Sequence, residues 1–98
     1  MANFFHDLPP AEAEKWLGEM KHQPSDWEGS VTFCGWREVP SVYIVCEQDR
    51  IIPRAIQEHL AGMAGSQIVS LDAGHMAQLS KTDEVARIIK EAVEPRLA

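Results

Sequence analysis

The chain is poor in several things, and each shortage removes a class of protein. Only two cysteines, Cys34 and Cys46, occur in 98 residues. That is too few for the disulfide framework of a small secreted domain, so both are expected as reduced, partly buried thiols in a cytoplasmic setting. Basic residues are scarce: nine Lys and Arg stand against 15 Asp and Glu, for a net charge of −6, and they form no run. Nucleic-acid binders carry a clustered positive face, and anionic membranes recruit basic segments, so neither partner is expected. No apolar stretch approaches the ~20 residues that span a bilayer. The opening Met1-Ala2-Asn3-Phe4-Phe5-His6-Asp7 has neither the basic nor the apolar region of a secretory leader. No internal repeat and no low-complexity segment interrupts the chain.

What remains is an ordinary globular composition, 45% hydrophobic and 24% charged. A chain of this length makes one domain and buries roughly 60–65% of its unfolded surface. Pro9-Pro10-Ala11-Glu12 suits a helix start, because proline fits the first turn and an acid suits the positive end. Ala13, Trp16, Leu17 and Met20 then recur at i, i+3, i+4 and i+7 as one apolar stripe, ending near His22. Residues 24–30 read as a polar loop around Trp27. Val31 to Cys34 reads as a brief strand or an extended lead-in, and Trp36 precedes a charged pair and Pro40.

From Ser41 the pattern changes. Ser41 to Cys46 is β-branched and aromatic without polar alternation, which belongs to a parallel strand covered on both faces. Ile52, Ile56, Leu60 and Met63 mark a second helix with Gly62 and Gly65 as breakers. Gln67 to Leu71 is a second strand. Ser80-Lys81-Thr82-Asp83-Glu84 offers hydroxyl caps and acids for a last helix, with Val85, Ile88, Ile89, Ala92 and Val93 as its apolar face and Pro95 as its stop. Strand, helix, strand, helix implies an α/β class with parallel strands and a right-handed crossover. The expected division is residues 1–40 as a helix and its connection, and 41–98 as the βαβα part.

Ligands of parallel sheets bind beyond the carboxyl ends of the strands. Asp49 and His75 each stand just past such an end, on successive strands, and neighbouring parallel strands lie only ~4.8 Å apart. An aspartate bonded to one imidazole nitrogen fixes the tautomer and leaves the other nitrogen as a base. Gly74 before the histidine is expected to supply an unusual backbone conformation and room for a substrate. Asp49, Asp72 and His75 are a conceivable metal set, but no ligand pair at i, i+4 supports it and no cofactor is implied. His6, His22 and His59 are expected at the surface or near a cap. Cys46 beside the Asp49 turn is a conceivable nucleophile, but apolar burial would raise its pKa and leave it inert.

Tyr43-Ile44-Val45-Cys46-Glu47-Gln48-Asp49-Arg50-Ile51-Ile52-Pro53 together with Gly74-His75-Met76-Ala77-Gln78-Leu79-Ser80-Lys81 resembles the C-terminal part of an α/β-hydrolase. The likeness is greatest to the group of plant methylesterases, hydroxynitrile lyases and their fungal and bacterial relatives. Phe4-Phe5-His6-Asp7-Leu8 and Trp36-Arg37-Glu38-Val39-Pro40 resemble that group's passage from cap to core. The resemblance implies a partial α/β-hydrolase fold, a cap-derived first helix, Asp49 as triad acid and His75 as general base. A lysine follows the histidine in the lyase branch; here Met76 does, so ester hydrolysis is the implied ancestry. Trp16, Trp27 and Trp36 would line an acyl pocket under a cap, or serve ordinary packing or inter-subunit contact.

One further absence decides the expected activity. No serine or cysteine stands in a Gly-x-Ser-x-Gly turn. Ser25 and Ser30 flank the Trp27 loop, Ser41 and Ser66 begin strands, Ser70 lies inside one and Ser80 caps a helix. Two readings follow: an esterase-like hydrolase chain inactive alone for lack of nucleophile and oxyanion hole, or a non-catalytic module that binds a small molecule or another chain. A two-stranded sheet with an open edge is marginal by itself, so self-association or a partner chain is expected, with a small ester as substrate only if a nucleophile half completes it.

Overall fold

The two β-branched runs form strands and pair in parallel. β1 (Val42–Cys46) and β2 (Gln67–Leu71) lie in register from Val42 opposite Gln67 to Cys46 opposite Leu71. Parallel neighbours need a crossover, and α2 (Arg54–Ala64) provides it. The computed structural model describes residues 2–26 and 28–96, so Trp27 falls outside the described residues. Among these residues the chain runs α1 (Pro10–Glu19), β1, α2, β2, the short α3 (Ala77–Ser80) and α4 (Thr82–Val93). No helix among them is long and apolar enough to cross a membrane.

Local chemistry explains most boundaries. Pro10 opens α1 with Glu12 in its first turn, and extended backbone at Met20 ends it. Gly65 adopts φ 67°, and its N–H reaches the Ala61 and Gly62 carbonyls, closing α2 with the left-handed residue that glycine tolerates best. Gly62, expected to break the helix, is carried inside it. Residues 31–34 form no strand; they run, exposed except for the partly buried Cys34, into a three-residue 3-10 turn, Gly35–Arg37.

Two helix faces differ from expectation. In α2 the apolar set Ile56, Leu60 and Met63 faces outward, with Met63 72% exposed, while Gln57 and Ala61 are buried. The buried row is displaced by one residue, a rotation of ~100°. Ala61 is small enough for close approach, and Gln57 turns inward because it bonds to β1. In α4 only Ile88 is buried, while Ile89 is 55% exposed. The expected hydroxyl cap is also absent: Thr82 Oγ1 donates backward to the Gln78 carbonyl at 2.7 Å and caps nothing ahead of it.

The core is correspondingly small. Leu71, Ala73 and Ala77 cluster with Ile44, Cys46 and Val85, and Val45 is fully enclosed. Accessible surface is 7629 Å², against about 5600 Å² for a compact monomer of this mass. The radius of gyration is 15.5 Å, against about 13 Å for a compact chain of this length. A sheet two strands wide leaves apolar residues on both flanking helices uncovered.

Backbone bonding also shows how the strand edges are used. Gln67 N donates to Ser41 O and Glu47 N to Leu71 O, both at 2.9 Å. Alternation along a parallel strand therefore turns Val42, Ile44 and Cys46 toward the other edge of β1. Cys46 is met there by a side chain. Gln57 Oε1 accepts its N–H at 2.8 Å, and Gln57 Nε2 donates to its carbonyl at 2.9 Å and to Ile52 O at 2.8 Å. The amide takes the place of a neighbouring strand at the point where β1 ends and the Asp49 turn begins.

Candidate active site

Asp49 leaves β1 on a turn that its own side chain organises. Oδ1 accepts the Ile51 and Ile52 amides at 2.7 and 3.0 Å, a local bridge typical of aspartate, and this commits Oδ2 to face the neighbouring loop. His75 leaves β2 four residues after Leu71. The exits are tied beyond the strands themselves, since Gln48 N donates to Ala73 O at 3.0 Å. As a result Asp49 Oδ2 lies 3.0 Å from His75 Nδ1. A carboxylate can only accept, so Nδ1 carries the proton of that bond.

The environment suits a hydrogen-bonded pair that stays accessible on one side. The Asp49 side chain is 5% exposed and that of His75 25%. Burial alone would raise the Asp49 carboxyl, but the His75 hydrogen bond and the two backbone amides outweigh it and hold the group below its usual value. No other hydrogen bond engages the His75 ring among the described residues. Both side chains line an open hollow of about 400 Å³ with Ile44, Cys46, Ile52 and Gln57. The two residues singled out in the sequence are thus brought into contact across 26 positions.

The space behind His75 holds residues that sequence reasoning did not connect to it. Phe4 sets its ring edge-on to the imidazole, centroids 5.3 Å apart. Asp7 Oδ2 accepts the Gly74 N–H at 2.7 Å. Burial pushes the Asp7 carboxyl up, but the nearby Ser80 hydroxyl, the Gly74 amide and His6 bring it below its usual value. That hydroxyl sits close without a well-directed bond, and Asp7 Oδ1 and Ser80 Oγ are both buried with no geometrically sound partner. Gly74 itself corrects an expectation, because it does not adopt a left-handed backbone. A Cβ there would meet Asp7 Oδ1 and His6 Cε1 at 2.7 Å. Glycine is needed for that close approach, and the room it leaves is filled by protein.

Other candidates separate from the site. Ser41 and Ser66 share a 2.7 Å hydrogen bond, at the far ends of the strands. Ser25, Ser30 and Ser70 are exposed. Burial, followed by the charges of Asp49 and Asp7, raises the Cys46 thiol, which suits an inert residue. Among the described residues no group of three metal-ligating side chains forms, and Asp72 is exposed. Trp16 lines a separate hollow of about 340 Å³ with Phe5, Met20, Met76 and Leu79. Trp36 lines another with Tyr43, Leu60 and Met63. His22 and His59 are exposed, whereas His6 packs against Gly74.

Acid stability offers a check on both carboxylates. Each binds its proton less readily when folded, so the unfolded chain protonates first as pH falls. Their contribution is complete above the unfolded value of ~3.9 and drains away as pH drops through the lower folded values. Urea midpoints should hold steady between about pH 7 and 5 and fall below about pH 4. The double variant Asp7→Asn, Asp49→Asn should show a shallower fall over that window. An equal slope in variant and parent would show that neither carboxylate is perturbed.

Comparison with known proteins bears on the family of the chain. Residues 1–88 match the model of the alpha/beta hydrolase family. The chain is 38% identical over 63 residues to "Alpha/beta hydrolase nvfD" of Aspergillus novofumigatus (strain IBT 16806), covering 62% of this chain and 25% of that protein. It therefore spans about a quarter of that relative's length. No solved structure matches it. A family model covering most of the chain, on parallel strands joined by a helical crossover, is decisive at this level: the chain belongs to the α/β-hydrolase family.

Proposed function

We propose that the chain carries the acid and base of an ester hydrolase, with ancestry in the methylesterase and hydroxynitrile lyase-like group, and turns over no ester alone. The observation that carries this reading is the 3.0 Å contact of Asp49 Oδ2 with His75 Nδ1 at the carboxyl ends of adjacent parallel strands. In that role Asp49 holds the imidazole so that Nε2 presents its lone pair. Nε2 removes the proton of a nucleophilic hydroxyl as its oxygen attacks the ester carbonyl, and the imidazolium, stabilised by Asp49, protonates the departing alkoxide. Met76 after the histidine offers no cation for a cyanide leaving group, which favours esters. The hydroxyl and the oxyanion-hole amides come from a nucleophile-bearing polypeptide, and residues 1–40 are a cap-derived helix with its connection to the core.

The purified chain incubated with an aryl ester should give a rate equal to buffer, and His75→Ala should leave that rate unchanged. Turnover by the chain alone that both His75→Ala and Asp49→Ala abolish would overturn its inertness. A second reading, a non-catalytic module in a cytoplasmic setting, draws on the outward row of Val42 and Ile44 at the β1 edge and the uncovered Ile89 and Met63. It calls for self-association or a partner chain in place of turnover.

A further inference from the structure

The peptide joining Ala73 to Gly74 is gripped from both sides. Its carbonyl accepts the Gln48 N–H, from the turn that bears Asp49, at 3.0 Å. Its N–H donates to Asp7 Oδ2 at 2.7 Å, across 67 positions of sequence. A peptide is rigid and planar, so two bonds on opposite sides settle its orientation, and His75 emerges from the next Cα. The segment bearing Asp7 is itself anchored. Phe5 and Leu8 are buried, the Leu8 N–H closes a turn onto the Phe5 carbonyl at 3.1 Å, and Phe4 meets the imidazole edge-on. Gly74 fits this grip closely enough that a Cβ would collide with Asp7 and His6.

We propose that Asp7 is a positioning residue, which orients the Ala73–Gly74 peptide and so holds His75 in line with Asp49. This rests on the reading of Asp49 and His75 as acid and base. A carboxylate suits the task because a charge-assisted bond to an amide is shorter and stronger than a neutral one. Asp7 touches neither imidazole nitrogen; its effect passes through the main chain.

The test follows the His75 Nδ1–H proton by nuclear magnetic resonance of the intact 15N-labelled chain, with His75→Ala identifying the signal. In Asp7→Ala the backbone amides of β1 and β2 should persist while Nδ1–H exchanges with water about tenfold faster or more, the factor expected for losing one charge-assisted bond. Asp7→Asn keeps a neutral, weaker acceptor for Gly74 and should exchange at a rate between those of the parent and Asp7→Ala. Gly74→Ala, which forces the same contact apart and leaves the charge in place, should accelerate exchange as Asp7→Ala does. A folded Asp7→Ala chain with unchanged exchange overturns the proposal. If Asp7→Ala does not fold, unchanged exchange in Gly74→Ala overturns it equally. Asp49→Asn separates the two readings: it should abolish the Nδ1–H signal, and if it does so while Asp7→Ala does nothing, only the positioning role fails. A signal indifferent to Asp49→Asn defeats the acid–base pair and the positioning role together.

Discussion

Replacing Gln57 by leucine should lower the stability of the chain by about 3 kcal/mol, read as a shift of the urea midpoint at constant slope. Leucine matches the volume but removes both ends of the amide. The Cys46 N–H, the Cys46 carbonyl and the Ile52 carbonyl then lose their partners together. A buried group left unsatisfied costs about 1–3 kcal/mol, and partial rehydration at the open strand edge keeps the total at the lower end of the summed range. Small domains have only about 5–15 kcal/mol in all, so the loss is a large fraction of it. Gln57→Glu sharpens the test. The carboxylate still accepts from Cys46 N but opposes two carbonyl oxygens, so this variant should be weak at neutral pH and recover as the acid protonates. A leucine variant as stable as the parent would show that the side chain, although only 3% exposed, contributes no net hydrogen bonding.

The second large effect concerns catalysis. This chain, grafted in place of the matching quarter of a full-length α/β hydrolase with measurable esterase activity, should yield an active chimera. In that chimera His75→Ala should reduce kcat by about 10⁶-fold and Asp49→Asn by about 10⁴-fold, the losses typical of a base and its orienting acid in serine hydrolases. The asparagine case is informative because its oxygen can still accept the Ile51 and Ile52 amides. Its NH₂ would then face His75 Nδ1, which must become an acceptor, and the proton moves to the nitrogen that should act as base. The turn survives while the tautomer is wrong. An active chimera indifferent to His75→Ala would end the assignment, whereas a folded but inactive one would favour the module reading.

Much of this was legible without coordinates because it is local. Ser41 to Cys46 and Gln67 to Leu71 carry the β-branched composition of strands, and each is bounded by turn residues within a few positions. Asp49 and His75 were legible as a pair because strand order and strand spacing leave their loops little choice but to meet. The orientation of α2 was not. Its apolar row at Ile56, Leu60 and Met63 is the stronger periodic signal, yet a helix turns toward whatever its neighbours can accept, and β1 accepts the amide of Gln57. Asp7 was equally silent, since nothing within its segment indicates a partner 67 residues away. Gly74 was noticed for the wrong property: backbone freedom is a local inference, whereas crowding by Asp7 and His6 exists only after folding.

By itself, then, the amino-acid order determined the kinds of elements, their parallel sense, and a carboxylate and an imidazole at one sheet edge, because periodicity, turn chemistry and chain reach act over a few residues. Only the tertiary structure decided which helix faces are buried, which side chain closes the edge of β1, and what stands behind the histidine. Those outcomes depend on contacts between segments far apart along the chain, whose free energies appear only when the partners are already in place.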